Sequence, residues 1–149
     1  MTQRDVLMGI VERLRERWPE EKIYTDYAPQ DFRRPSFLVE VGKLTQEETG
    51  GFDTLFTMEG KITIFLPVDA YHHSDTVTLC EREAEVMALF AHGAFPVGGR
   101  HPHVDRLQAD HGYDYGEVVL SISFNERWEK AETYPLLRSV TIKIKDKEE

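Results

Sequence analysis

The sequence predicts an α+β fold, an antiparallel β-sheet with a long central hairpin, flanked by two α-helices. Three observations carry that expectation. Within residues 23–66, Phe37, Val39 and Val41 alternate with polar or outward positions. Further on, Phe56, Met58, Ile62, Ile64 and Leu66 do the same, the period of two that a half-buried strand requires. Segments 2–18 and 74–91 instead space their apolar residues as helices do. No helix falls between every pair of strands, so the βαβ rhythm of a parallel sheet is missing and the helices belong beside an antiparallel one.

At 149 residues and 17.3 kDa the chain has the length of one domain and can bury a core without disulfides or a structural metal. Residues 1–134 are expected to form a single α+β domain, with 135–149 as a C-terminal strand or arm. Eighteen basic against 27 acidic side chains give a formal charge of -9, which disfavours a nucleic-acid backbone as partner. No apolar run reaches the roughly 20 residues that cross a bilayer, and MTQRDVLMGI lacks a cleavable signal pattern, so a soluble protein made in the cytosol, without a membrane partner, is expected. The single cysteine, Cys80, has no second thiolate with which to hold zinc and is expected buried and reduced.

Thr2 can cap a first helix whose stripe is Val6, Leu7, Ile10, Val11, Leu14 and Trp18, ended by Pro19. A short strand near Ile23 follows, then the polar loop DFRRPSF, in which Pro35 biases Arg34 toward an extended backbone at the mouth of the next strand. Arg33 and Arg34 are conspicuous in an acidic chain. They either pair locally with Asp26 or Asp31 or meet an acidic surface of a neighbouring subunit. Between the hairpin arms, TQEETGGFDT carries Gly50-Gly51, which permits positive φ, followed by Phe52. It is longer than the connections of about 2 to 5 residues usual in hairpins, so it is either a loop or a strand ribbon suited to docking.

Beyond Leu66, Ser74 or Asp75 can cap a second helix, with Val77, Cys80, Ala84, Met87, Ala88 and Ala91 as its packed stripe and Gly93 as its stop. A strand near residues 104–110, a turn at 111–116 and a strongly alternating strand through Val118, Leu120, Ile122 and Phe124 come next. Residues 136–145 alternate again through Val140, Ile142 and Ile144, either as an edge strand or as an arm added to a neighbour's sheet.

Chemistry-bearing residues concentrate in GGRHPHVDRLQADHGYD, where His101, His103, Asp105, Asp110 and His111 fall within eleven positions. Imidazole and carboxylate suit divalent metals. The spacing matches no H-E-x-x-H pattern, however, and neither a phosphate loop nor a G-x-S-x-G nucleophile occurs. No catalytic residue, metal ligand or cofactor is therefore assigned, and the protein is expected not to be an enzyme.

The opening helix ending at Trp18-Pro19, the stretch IYTDYAPQDFRRPSFLVEV, the long hairpin and the strand VVLSISFNERW together resemble a family. Over roughly residues 2–128 the chain is similar to the phage tail terminators and related minor tail proteins encoded in prophages of Gram-positive bacteria. That resemblance implies a structural subunit of the virion tail, assembled in the bacterial cytoplasm. It implies a homo-oligomeric ring, taken as a hexamer, that caps the tail tube, stops its growth and meets the head connector or neck protein. Candidate subunit contacts are Arg33, Arg34, Gly50, Gly51, Phe52, Val140, Ile142 and Ile144. Two readings compete with it: another small virion protein, such as a neck or head-completion subunit, and a metal-dependent enzyme using His101, His103 and His111.

Overall fold

A computed structural model describes residues 1–91 and 93–127; residues 136–145, with Val140, Ile142 and Ile144, lie outside the described residues. Helix α1 spans Gln3–Arg17. Its N-terminus is closed by a reciprocal capping box in which Thr2 Oγ1 accepts the Asp5 N–H at 3.2 Å and Asp5 Oδ2 accepts the Thr2 N–H at 2.9 Å. Strands β1 (Lys22–Tyr24), β2 (Ser36–Val41), β3 (Thr45–Gly50) and β4 (Asp53–Phe65) follow, then helix α2 (Thr76–Leu89) and strands β5 (His103–His111) and β6 (Gly116–Arg127). The main path of the sheet runs β1-β2-β4-β6-β5, with β3 paired to β4.

The chain divides into two units. The first, Met1–Thr45 with Thr57–Phe124, holds the core. In it Phe37 pairs with Ile64 and Val39 with Ile62 across β2 and β4, and all four are fully buried, so this register puts both predicted apolar rows on one face. Val6, Ile10 and Leu14 of α1, also fully buried, cover that face. Gly60 makes the close approach possible: a Cβ there would stand 2.8 Å from Ile10 Cδ1, with Ile122 and Leu120 beside it. The second unit, among the described residues, is Gln46–Phe56 with 125–127.

Two features differ from the expectation. Strands β1 and β2 are parallel, although the rest of the expected pairing is antiparallel. The eleven-residue connection 25–35 is about the length a parallel return needs, and it makes that return without a helix. The packed face of α2 is also not the predicted one. Leu79, Glu83 and Val86 are its buried residues, followed by Phe90 at the C-cap, whereas Val77 is 64% exposed and Cys80 is exposed. Leucine, valine and phenylalanine at i, i+7 and i+11 remove more apolar area from water than the smaller alanine-rich stripe, and that decides which face turns inward.

Candidate functional site

Three loops meet at the end of the sheet where β2 begins and β4 ends, and Arg34 ties them together. Its Nη1 donates to the Leu66 carbonyl at 2.8 Å and to the Asp114 carbonyl at 2.9 Å, while Nη2 lies 3.8 Å from Asp114 Oδ2. The guanidinium also stands over the rings of Phe32 and Phe65, at 4.8 and 5.4 Å from their centroids. One planar, five-donor group thus joins loop 25–35 to the end of β4 and to the β5–β6 turn. The local pairing foreseen with Asp26 or Asp31 is made with Asp114 instead, eighty positions away in sequence. Arg33 is the exposed member of the pair, and its backbone N–H is held by Tyr24 Oη at 3.1 Å.

The neighbouring loop between β4 and α2 is organised by Asp69. Its Oδ1 accepts the N–H groups of Tyr71 and His73 at 2.8 and 3.0 Å, and these two donors hold the carboxyl below the usual aspartate range. Ser74 N–H donates to the Tyr113 carbonyl at 2.7 Å, and the rings of His73 and Tyr113 lie 5.3 Å apart. On this fixed frame Tyr71 and Tyr113 are 80% and 65% exposed, and Tyr27 in loop 25–35 is 71% exposed. Sequence reasoning missed these tyrosines. The available signal was aromatic residues in otherwise polar loops, where burial is not the reason for them.

Of the two alternatives for the connector TQEETGGFDT, the ribbon is the one present: β3, a turn at Gly51 and Phe52, and the start of β4. β3 pairs with β4, and Gly50 and Gly51 reverse the chain at φ 117° and 58°, a region that costs a glycine little. All six residues of β3 are exposed, and Phe52 beyond the turn is half-buried. Within this unit Thr49 Oγ1 donates to the Asp53 carbonyl at 3.4 Å.

Of the histidines and aspartates that crowd together in sequence, His103, Asp105, Asp110 and His111 are spread along β5 and His101 precedes it. His103 Nδ1 pairs with Asp105 Oδ1 at 2.6 Å beside a one-residue register shift. His111 ends the same strand, eight residues on, which at about 3.3 Å per residue is roughly 26 Å away. His101, His103 and His111 therefore cannot share one ion. His111 meets α2 instead: its Nδ1 lies 3.7 Å from Oε1 of the buried Glu83, and Cys80, expected in the core, is exposed beside them. Burial pushes the Glu83 carboxyl above the ordinary glutamate range, opposed by the Glu117 N–H and by His111. Among the described residues, no helix is long and apolar enough to cross a membrane.

The sheet thus carries α1 on its apolar face and is closed at one end by fixed loops that display arginine and tyrosine. The family profile of the phage tail terminator protein matches residues 5–88. The chain belongs to that family and is a structural component of the phage virion tail, associating with other tail or virion proteins. No curated protein matches the sequence. One solved structure aligns over 87% of this chain and 98% of its own at 14% identity with a TM-score of 0.44, a likeness too distant to carry functional meaning.

Proposed function

We propose that the protein is the terminator subunit itself. Identical copies close into a ring, taken as a hexamer, on the last disc of the tail tube. The ring stops tube growth and offers a surface to the head connector. The observation that carries this reading is membership of the tail terminator family over residues 5–88. Two surfaces support it. A head-to-tail ring needs two different complementary patches on each subunit, and the fixed loop end bearing Arg33, Tyr71 and Tyr113 is chemically unlike the exposed β3 hairpin at Gly50, Gly51 and Phe52. Arginine and tyrosine are enriched in protein interfaces. Arg34 serves this reading as the residue that positions the loop, and Val140, Ile142 and Ile144 would add a strand to a neighbouring copy.

With -9 on each copy, subunits repel one another at low salt, so the ring is expected to close on the tube end and not in free solution. The test is a phage-assembly assay that scores tail length and head joining. It compares phage lacking the protein, phage carrying Arg33→Glu, and phage lacking residues 136–149. Tails of uncontrolled length without the protein, and tails that fail to join heads in the variants, are expected. Normal tails without the protein would sink the terminator reading. Normal, joined tails in both variants would sink only the assignment of surfaces.

A further inference from the structure

We propose that Cys80, Glu83 and His111 form a binding site for a zinc-class transition-metal dication, with three protein ligands and a fourth position open to water. One ligand atom from each lies within 4.8 Å of the other two, and the Glu83–His111 pair is already at 3.7 Å. Tetrahedral zinc with bonds of about 2.0 to 2.3 Å sets its ligands roughly 3.4 to 3.6 Å apart. The remaining movement falls on Cys80, an exposed side chain free to change rotamer. Thiolate, imidazole and carboxylate together make a mixed sulfur, nitrogen and oxygen set that suits zinc better than magnesium or calcium.

The surroundings prepare the carboxylate. Glu83 Oε2 accepts the Glu117 N–H at 3.2 Å, which leaves the other oxygen toward His111. Gly116 leaves room for it, since a Cβ there would stand 3.0 Å from Oε2. Asp110 lies near enough to oppose a charge on Glu83, and a bound dication would relieve both that repulsion and the burial of an anion. Cys80 and Glu83 share one face of α2 as i and i+3, while His111 comes from the end of β5, so the metal would staple the helix to the β5–β6 turn. The sequence hides this set because His111 lies 28 positions beyond Glu83.

The test uses full-length protein purified without a histidine tag and stripped with chelator, then titrated with Co²⁺ and with Zn²⁺. Expected are one equivalent of cobalt with a thiolate-to-metal charge-transfer band, displacement of that cobalt by zinc, and a higher Tm with zinc. Cys80→Ser should abolish the band, and His111→Ala should weaken binding by at least tenfold. Both residues are exposed, so both variants should fold. His103→Ala should bind as the wild type does. A missing band, a band that survives Cys80→Ser, or binding lost in His103→Ala and kept in His111→Ala would overturn the proposal.

Discussion

Replacing Arg34 separates the stability of the loop end from its use as a contact surface. The Arg34→Ala variant loses two charge-assisted hydrogen bonds to carbonyls, at 2.8 and 2.9 Å, each worth about 1.5 to 3 kcal/mol. It also loses ring contacts worth up to about 1 kcal/mol and an ion pair with Asp114. That pair adds under about 1 kcal/mol, because Asp114 is 35% exposed and the separation is 3.8 Å. These losses do not add in full. Water reaches the vacated carbonyls, since the arginine side chain is itself 19% exposed, and the Leu66 carbonyl keeps the Ser74 hydroxyl at 3.3 Å. A net cost of about 2 to 4 kcal/mol follows, which for a chain of this size lowers Tm by about 10 °C. Arg34→Lys should fall between wild type and alanine, because one ammonium can donate to both carbonyls, which share Nη1, but has no second nitrogen for Asp114 Oδ2 and no planar face to lay over Phe32 and Phe65. Arg33→Glu, on an exposed side chain, should leave Tm within about 2 °C. Thermal melts followed by circular dichroism read all three, and an Arg34→Ala melt indistinguishable from wild type would refute the assignment of Arg34 as the tie between the loops.

Leu14→Asp should prevent folding, because a carboxylate at a fully buried position costs several kcal/mol against the roughly 5 to 15 that hold a domain together; an unchanged Tm would show that α1 does not pack through this stripe. Arg82→Ala should cost about 2 to 3 kcal/mol by denaturant titration. The variant strands Glu21, now paired in fork geometry at 2.7 and 3.1 Å, and uncovers the rings of Trp18 and Phe37 beneath the guanidinium. Both partners are 16% exposed, which keeps the loss below the 3 to 5 kcal/mol or so of a fully buried pair; a loss under about 0.5 kcal/mol would contradict it. In metal-free protein, the raised Glu83 pKa means the native state binds this proton more tightly than the unfolded chain. The burial penalty is therefore absent below the unfolded glutamate pKa and sets in as pH rises through the folded value. Glu83→Gln should then gain stability relative to wild type on going from acid to neutral pH, and a difference that stays flat with pH would count against it. Asp75, held below the usual aspartate range by the Thr78 hydroxyl and N–H, runs the other way: the Tm deficit of Asp75→Ala should close as pH falls through the folded Asp75 pKa, and a deficit that persists in acid would rule out the charged cap.

The parts of the fold legible in the sequence are those set by one face and one period. In β4 and β6 the inward face is apolar at alternate positions, broken in β4 where Gly60 admits Ile10, and Met58, Ile62, Ile64, Val118, Leu120 and Ile122 are all buried. The first helix was legible for the further reason that Thr2 and Asp5 cap it locally. The face of α2 was not, because its inward side contains Glu83. A glutamate in a stripe reads as solvent-facing until the Glu117 N–H from β6 and His111 from β5 are seen to meet it, and both partners lie beyond the reach of helical spacing. Counting small residues gave Val77, Cys80 and the alanines a stripe by number, whereas burial follows area, which Leu79, Val86 and Phe90 supply.

The candidate site divides along the same line. Gly50-Gly51 was readable as a reversal because positive φ is a property of single residues, and both adopt it. Which of its two alternatives, loop or ribbon, TQEETG would take was not decidable, since its six exposed residues carry no apolar period and owe their strand to the partner alone. Arg33 and Arg34 are adjacent and chemically identical, so no local rule separates them; what does is the position of the Leu66 and Asp114 carbonyls, fixed by β4 and by the β5–β6 turn. The consequence for any interface experiment is direct. Reversing both arginines together would confound an assembly defect with a folding defect, whereas reversing Arg33 alone changes the charge offered to a neighbour while the fork beneath it keeps the loop in place.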